Sequence, residues 1–479
     1  MRTHRPFESI SLRTRLSEEE VARLAVNRHR FPGMDIMARL SRYYPQGTSA
    51  AHAIGYVGRI SEKELNTIDV SNYRGSTHIG KTGLEKYYEE ELHGIVNMRG
   101  NNLVLNLDME LQHTAEQALG DFAGAVIVMQ PKTGAILAFV SEPVYDPNLF
   151  VHGISVKDYN ALREGDYKPL FNRALFGQYP PGSTLKPFIG LAGIDAKVIG
   201  PRQDIRCIGY YTLPDDDEHR YRDWKKYGHG QVALGDAIEQ SCDVYFYELA
   251  HRLGINRMHD YLSEFGFGDK TGIDLIGERS GLLPSKEWKR RVHNKIWYPG
   301  ETLIAGIGQG YMLTTPLQLA VATSALANKG KKIQPRLLKE MRDTNGEITA
   351  MAVPSVSMIK LKRDDYWDYM HKAMQRVLRG KWGTARATGW KLKGYEMAGK
   401  TGTAQVFGVA QDEEYDAETV ARKLRDHALF IAFAPLEDPE IVVAIIEENG
   451  EHGSAVAPIA KTIMDAYLLK DDMKKKDAK

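Results

Sequence analysis

YPPGSTLKP, at residues 179–187, is the segment from which the fold can be inferred. Its Pro-Pro-Gly turn ends the preceding segment, and Ser183 then begins an apolar run with helical periodicity. Because residues three apart share a helix face, Lys186 can reach the Ser183 hydroxyl. The positive end of a helix favours a developing alkoxide, and a desolvated lysine can act as a base. This pattern predicts Ser183 as a nucleophile and Lys186 as its base.

A serine three residues before a lysine is a weak signal by itself. A second pair, Ser357 and Lys360, lies in a Val/Ile-rich stretch with strand-like alternation. Positions three apart on a strand face opposite sides, so these two residues cannot cooperate. Only the Ser183 pair has the required turn and helix.

Two further short motifs follow along the chain. Ser241-Cys242-Asp243 taken alone is best interpreted as polar residues near a helix start. The segment AGKTGTAQVF, residues 398–407, predicts a small-residue strand that carries a cation and two hydroxyls. Lys-Thr-Gly occurs four times, beginning at Lys81, Lys132, Lys270 and Lys400. The tripeptide at Lys132 indicates a hairpin turn and that at Lys270 a loop, and only Lys400 lies in an apolar strand.

The apolar pattern around these motifs predicts the architecture. Two hairpins are expected, one within residues 125–140 and one within 428–446. Helical patterns separate them, with helices predicted at Met109–Leu119 and Pro458–Leu469. Two hairpins at opposite ends of a domain indicate one antiparallel sheet covered by helices. The sequence therefore predicts an α+β catalytic domain over residues 109–470.

The first 108 residues differ in character from the rest. They are rich in Arg and Glu, and Ser17 with Glu20 forms a capping pattern at the start of a helix ending at Val26. A strand is predicted over residues 103–108. Residues 1–108 are accordingly assigned to a separate non-catalytic domain, and residues 471–479 to a Lys-rich solvated tail.

Composition excludes several classes of protein. The chain has 479 residues, which favours two or three domains, and a net charge of +1, which gives no long-range attraction to nucleic acid. No run of about 18 apolar residues occurs, so the sequence predicts no membrane-spanning helix. The N-terminal residues Met1–Pro6 lack the apolar core of a signal peptide.

In this order the three motifs match the signature of the penicillin-binding protein and serine β-lactamase superfamily. Longer segments resemble the class B penicillin-binding proteins of rod-cell elongation in Gram-negative bacteria: Tyr179–Pro187, Tyr221–Lys226, Gly306–Tyr311 and Lys400–Gly408. The front part resembles the same family's non-catalytic pedestal at Phe31–Gly33, Tyr43–Pro45 and Ile54–Val57. The resemblance covers nearly the whole chain.

There are departures from the family pattern. The family's cytoplasmic tail, membrane helix and first pedestal segment have no counterpart in this chain. The middle motif ends in Asp243 where the wider superfamily has asparagine, although the elongation branch resembles this chain in using aspartate. A negative charge beside Lys186 could hold that lysine protonated and so complicate its role as a base.

The resemblance implies a peptidoglycan D,D-transpeptidase. Ser183 would attack the penultimate D-alanine carbonyl of a stem pentapeptide while Lys186 takes its proton. The backbone amides of Ser183 and Thr403 would form the oxyanion hole. Ser241 would relay the proton to the leaving D-alanine, and Asp243 would position Lys186.

Substrate binding and partners follow from the same resemblance. Lys400, Thr401, Gly402 and Thr403 would hold the terminal carboxylate, and β-lactams would be trapped at the acyl stage. The implied partners are a SEDS-type glycan polymerase and scaffold proteins of the elongation complex. The implied location is the periplasmic face of the inner membrane, with the native anchor absent from this chain.

Four residues suggest a structural zinc site, namely Cys207, Asp223, His229 and Cys242. On a helix, the side chain of Cys242 would point about 100° away from the catalytic face, toward residues 200–230, which hold the other three. A disulfide between the cysteines, or two unrelated buried thiols, remain alternatives. Catalysis through serine requires no cofactor.

Two other functions remain open at this point. The same fold serves carboxypeptidases and β-lactamases, whose deacylating water needs an activated base that the sequence does not identify. A non-catalytic cell-wall scaffold is the alternative from another class, against which Ser183, Lys186 and Lys400 all argue.

Overall fold

The computed structural model describes residues 12–13, 16–38, 40–73, 76–95, 98–406 and 421–470. The N-terminal residues Met1–Pro6, the tail 471–479, and Phe407 and Gly408 of the third motif lie outside this description. The strands are β1 (Val57–Arg59), β2 (His78–Gly80), β3 (Gly94–Ile95), β4 (Met98–Arg99), β5 (Asn102–Leu105), β6 (Gly124–Met129), β7 (Ile136–Glu142), β8 (Ile205–Cys207), β9 (Tyr210–Leu213), β10 (Asp216–Arg222), β11 (Gly230–Val232), β12 (Lys331–Ile333), β13 (Leu338–Arg342), β14 (Ile348–Met351), β15 (Val356–Met358), β16 (Ala398–Ala404), β17 (His427–Ala434) and β18 (Ile441–Glu447). The α-helices are α1 (Glu18–Val26), α2 (Ala51–Ile54), α3 (Glu62–Leu65), α4 (Gly83–Tyr87), α5 (Glu89–His93), α6 (Met109–Leu119), α7 (Asn148–Val151), α8 (Val156–Glu164), α9 (Arg173–Phe176), α10 (Lys186–Asp195), α11 (Leu234–Gln240), α12 (Asp243–Glu264), α13 (Lys286–His293), α14 (Pro299–Gly306), α15 (Pro316–Ala327), α16 (Asp365–Arg379), α17 (Arg386–Gly389) and α18 (Gly453–Leu468).

A five-stranded antiparallel sheet with the order β16-β17-β18-β6-β7 forms the centre of the molecule. Both predicted hairpins are present, and β18 pairs with β6 to join them. The turn after β6 needs a left-handed residue, which Gly134 supplies with φ 76°. All residues of β6 and β18 are buried, because helices cover both faces of the sheet. The two strands are accordingly apolar throughout. The predicted α+β class is confirmed.

Helices pack on the sheet in two groups. Helices α6 and α18 pack against each other and against the sheet, while α15 packs on β6, β17 and β18. Helices α10, α11, α12 and α16 contact one another and form a helical subdomain beside the sheet. The catalytic motifs lie where this subdomain meets β16.

Most predicted elements agree with the structure, and two bounds differ. Helix α6 has the predicted limits, and the Ser17–Glu20 capping box is present at α1. The strand predicted over 103–108 ends at Leu105, because Asp108 instead caps α6 by accepting from the amides of Glu110 and Leu111.

The C-terminal helix begins at Gly453, ahead of the predicted Pro458. A Cβ at Gly453 would lie 2.4 Å from the carbonyl oxygen of Gly402, so glycine lets the helix start directly against β16. In the described part of the chain, no helix has the length and apolarity needed to cross a membrane.

Candidate active site

Ser183 lies in a one-turn 3-10 helix, Gly182–Leu185, that continues into α10. Pro187 has no N–H to donate to the Ser183 carbonyl, which accepts from the Lys186 amide instead and tightens the turn. The sequence predicted an α-helical start here, and the tighter turn still keeps Ser183 and Lys186 on one side. Gly182 has φ 52°, and a Cβ there would lie 2.3 Å from the Thr403 carbonyl oxygen, so glycine brings the turn against β16.

The Lys186 ammonium connects the first two motifs. Lys186 is fully buried, and its Nζ donates to Asp243 Oδ1 (2.7 Å), Ser241 O (2.8 Å) and Ser241 Oγ (3.2 Å). Within the described residues its hydrogen bonds run to the middle motif, not to the Ser183 hydroxyl. The predicted pairing of Asp243 with Lys186 is therefore present. Burial raises the pKa of Asp243, and the Lys186 charge acts in the opposite direction.

Ser241 lies just ahead of a helix start, as the sequence predicted. It ends α11 with a left-handed conformation (φ 58°), and Cys242 is the N-cap of α12, so neither lies within a helix. The helical angle inferred for Cys242 was therefore wrong. Its expected consequence is nonetheless found, because the N-cap position turns the thiol toward Asp223, 3.3 Å away.

Lys400 approaches Ser241 from the opposite side. It is fully buried on β16, and its Nζ donates to Ser241 Oγ (2.9 Å) and to the carbonyl of Thr401 (3.0 Å). The Ser241 hydroxyl thus contacts the side-chain nitrogens of both lysines. Burial, together with the Lys186 charge, holds the pKa of Lys400 well below its usual value.

Strand β16 is an edge strand whose free side faces the Ser183 turn. The Thr403 carbonyl accepts from the side chain of Gln309 (2.9 Å) instead of from β17. In an extended strand the N–H and C=O of one residue point the same way, so the Thr403 amide also points toward this side. Gly402 is needed for close packing, since a Cβ there would lie 2.7 Å from the Thr184 methyl group.

Sequence reasoning missed Thr384 and Trp224. The Thr384 hydroxyl lies 2.7 Å from that of Thr401. The Trp224 indole donates to the Ser241 carbonyl (3.2 Å), and its amide donates to Asp243 Oδ2 (3.3 Å). Trp224 belongs to a segment that resembles the family, which was a usable signal, whereas the residues around Thr384 carry no motif.

A buried ion pair, also missed, fixes the loop in front of Ser183. Glu448 Oε1 accepts from the Tyr179 hydroxyl (2.7 Å) and from Arg173 Nε (3.0 Å). The side chain of Arg173 is 4% exposed and that of Glu448 17%. Tyr179 also pairs with Thr314 through both backbone groups. These contacts hold the start of the first motif in place.

Glu448→Gln is expected to lower the free energy of unfolding by about 3 kcal/mol, because it leaves the Arg173 guanidinium buried without its counter-charge. Acylation by penicillin should slow about tenfold as the Tyr179 anchor loosens. Thermal unfolding and a stopped-flow acylation assay would measure both. The exposed Glu437→Gln is the matched control, and equal behaviour of the two variants would contradict this role of Glu448.

The four predicted zinc ligands do come together. The ligand atoms of Cys207, Asp223, His229 and Cys242 all lie within 4.8 Å of one another. Cys207 Sγ lies 3.5 Å from both Asp223 Oδ2 and His229 Nδ1. Both cysteines are free and buried, and the side chains of Asp223 and His229 are inaccessible to solvent. The two thiols are thus free in the structure and belong to one cluster with Asp223 and His229.

Comparison with known proteins decides the family. Residues 124–465 match the family model "Penicillin binding protein transpeptidase domain", and residues 2–104 match "Penicillin-binding Protein dimerisation domain". The peptidoglycan D,D-transpeptidase MrdA of Acinetobacter baumannii is 43% identical over 98% of this chain and 72% of its own length. The crystal structure of Pseudomonas aeruginosa penicillin-binding protein 2 in complex with WCK 5153 has 49% identity and a TM-score of 0.83, covering 91% of this chain and 92% of that one. This chain belongs to the penicillin-binding protein 2 family.

A second penicillin-binding protein 2, from Helicobacter pylori in complex with MreC, has 31% identity and a TM-score of 0.83 over 94% of this chain and 83% of that one. Membership of the penicillin-binding protein 2 family makes the chain a serine-type D,D-transpeptidase. The predicted boundary between residues 108 and 109 and the role of each site residue remain predictions.

Proposed function

We propose that Ser183 is the acylated nucleophile of this transpeptidase and that Lys186, Ser241 and Lys400 form its proton path. The observation that carries the proposal is the Ser241 hydroxyl, which receives hydrogen bonds from Lys186 (3.2 Å) and Lys400 (2.9 Å) beside the Ser183 turn. Two donors on its oxygen leave the Ser241 proton free to point elsewhere. That proton can therefore pass to a leaving amine.

The resting charge distribution explains why two lysines are needed. Lys186 is ion-paired with Asp243 and must lose a proton before it can accept one from Ser183. Lys400 has no carboxylate partner among the described residues, and its lowered pKa makes its neutral form accessible. A proton can move from Lys186 through Ser241 to Lys400, leaving Lys186 as the base with Asp243 to orient it.

The substrate groups are placed by β16 and the Ser183 turn. The amides of Ser183 and Thr403 would stabilise the oxyanion, because the Thr403 amide points away from β17. Lys400, Thr401 and Thr403 would bind the terminal carboxylate of a D-Ala-D-Ala stem peptide of peptidoglycan. Thr384 would orient Thr401 through the contact between their hydroxyls.

A hydrolase on this fold is the second candidate, and the bonding network argues against it. A deacylating water needs a free base, yet Asp243 is paired with Lys186 and Glu448 with Arg173. The acyl-enzyme should therefore persist until an amine acceptor arrives, and a penicillin adduct should be long-lived.

Peptide mapping after incubation with penicillin tests the proposal. Trypsin does not cleave before proline, so Ser183 is expected in the peptide Ala174–Lys197, and the adduct should be found there. An adduct on another peptide would contradict the assignment of Ser183. Rapid hydrolysis of the adduct would favour a β-lactamase, and absence of any adduct would favour a scaffold.

We also propose that Cys207, Asp223, His229 and Cys242 hold one structural zinc ion. Atoms about 2.0–2.3 Å from zinc in a tetrahedron lie roughly 3.3–3.8 Å from each other. Three contacts within the cluster are 3.3–3.5 Å, and all four ligand atoms lie within 4.8 Å of one another. His229 Nε2 is buried without a hydrogen-bond partner in the described part of the chain, so Nδ1 is the nitrogen that faces the cluster. A bound ion would tie residues 207–229 to the start of α12.

Native mass spectrometry is expected to show one zinc ion per chain, lost in Cys207→Ser. Loss of the ion should lower the free energy of unfolding by about 3 kcal/mol, because its four ligands would no longer join residues 207–229 to the start of α12. His251→Ala, an exposed histidine on α12, is the control and should retain the metal. A metal-free protein two hydrogen masses lighter would indicate a disulfide instead.

Location and partners extend the family assignment. Relatives in cell-wall synthesis place the chain in the bacterial envelope, and we propose the periplasmic face of the inner membrane, where peptidoglycan is assembled. The Helicobacter pylori complex with MreC supports a scaffold partner of the elongation complex. A SEDS-type polymerase remains a prediction, which co-purification with membrane-embedded partners would test.

A further inference from the structure

Helix α13 and the loop after it present an exposed basic surface. Residues 286–298 (KEWKRRVHNKIWY) contain five Lys and Arg residues and one acid, in a chain whose net charge is only +1. Residues 290–296 are all exposed. Four of the cations reach solvent and form no ion pair with a described residue: Lys286, Arg290, Arg291 and Lys295. We call these four residues the basic surface.

The fifth cation, Lys289, anchors the helix to the protein. It is 2% exposed, pairs with Glu301 at the start of α14, and lies 4.5 Å from the centre of the Tyr298 ring. Ser285 caps the helix by accepting from the Trp288 amide (3.0 Å). Lys286, Arg290 and Arg291 therefore lie on an anchored helix, and Lys295 lies in the loop directly after it.

A short series of contacts connects this helix with the nucleophile. The rings of Trp288 and Tyr311 lie 5.0 Å apart. Tyr311 follows Gly308, whose carbonyl accepts from the Gly182 amide (2.9 Å), next to Ser183. These contacts link the helix that carries the basic surface to the turn that carries Ser183.

We propose that the basic surface binds the free carboxylates of peptidoglycan stem peptides on a strand that lies beside the Ser183 turn. The inference rests on the proposed function, because it takes the substrate to be peptidoglycan. Stem peptides end in carboxylates, which complement unpaired Arg and Lys side chains, and the planar guanidinium can bind a carboxylate through two parallel hydrogen bonds. Exposed Val292 and Ile296, which follow Arg291 and Lys295 in sequence, supply apolar contact for the peptide.

Sedimentation of the whole chain with purified peptidoglycan sacculi tests this surface. Combined Arg290→Glu, Arg291→Glu and Lys295→Glu substitutions are expected to weaken sacculus binding about tenfold. Sacculi whose carboxylates have been amidated should bind the unmodified protein equally weakly. The control variant replaces three other exposed, unpaired lysines by glutamate: Lys360, Lys372 and Lys391. Equal loss of binding in the control variant would overturn the proposal.

Penicillin acylation separates this inference from the proposed function. The triple variant should be acylated at the unmodified rate, since none of the three residues touches the Ser183 network. If the unmodified protein is not acylated, the proposed function fails, while sacculus binding still decides the role of the surface. If the triple variant keeps its binding to sacculi but loses binding to phosphatidylglycerol vesicles, the proposal is overturned in favour of a lipid surface.

Two further measurements cover a triple variant that does not fold. Arg291→Gln removes one charge at an exposed position and should weaken sacculus binding measurably. Binding of the unmodified protein should also weaken as salt rises from about 50 to about 300 mM, because exposed charges are screened. Binding that does not respond to salt would overturn the proposal.

Discussion

Ser183→Ala is expected to abolish the covalent penicillin adduct, with acylation reduced by at least about 10⁴-fold. Alanine removes the attacking oxygen and changes little else, because Ser183 is only half-buried and its side chain makes no hydrogen bond in the described structure. The buried network of Lys186, Ser241 and Lys400 should remain assembled. Intact-mass spectrometry measures the effect directly.

Ser357→Ala is the matched control for this experiment. Ser357 also precedes a lysine by three residues, but it lies exposed on β15. The control should be acylated at the unmodified rate. An adduct that persists in Ser183→Ala would refute the assignment of the nucleophile.

Lys186→Met is expected to slow acylation by about 10³-fold, within the range of general-base contributions. Methionine keeps much of the buried volume but removes the ammonium that joins Ser241 and Asp243. Asp243 would then be left with a raised pKa and no cation beside it, so some loss of stability is also expected. Stopped-flow acylation separates the rate effect from unfolding, which thermal denaturation measures.

Lys360→Met provides the control, since Lys360 belongs to the second serine–lysine pair and is exposed. A Lys186→Met rate within about threefold of the control would show that another group accepts the Ser183 proton. Lys400 would then be the next candidate because of its lowered pKa.

The central sheet could be predicted because its signals are local. Strands β6 and β18 are apolar throughout, and the turn at Gly134 is marked by its residue type. The same holds for Lys400, whose small-residue strand separates it from the other Lys-Thr-Gly tripeptides. Residue type and spacing were sufficient for these elements.

The contacts that complete the site could not be predicted in this way. Glu448 and Tyr179 are 269 positions apart in sequence, and only the fold brings them together. The left-handed backbone of Ser241 was not predicted, because it depends on how α11 and α12 pack, and serine has no preference that reveals it. Long-range polar pairs leave little trace in a single sequence.

The cysteine cluster and the catalytic residues are neighbours in the chain at two places. Asp223 precedes Trp224, whose amide donates to Asp243, and Cys242 precedes Asp243 itself. The order of folding is therefore constrained: Asp243 acquires all its partners only after residues 207–229 have docked on α12. A chain that has formed its sheet but not this contact would lack the Trp224 donor to Asp243, and we expect it to react with penicillin more slowly.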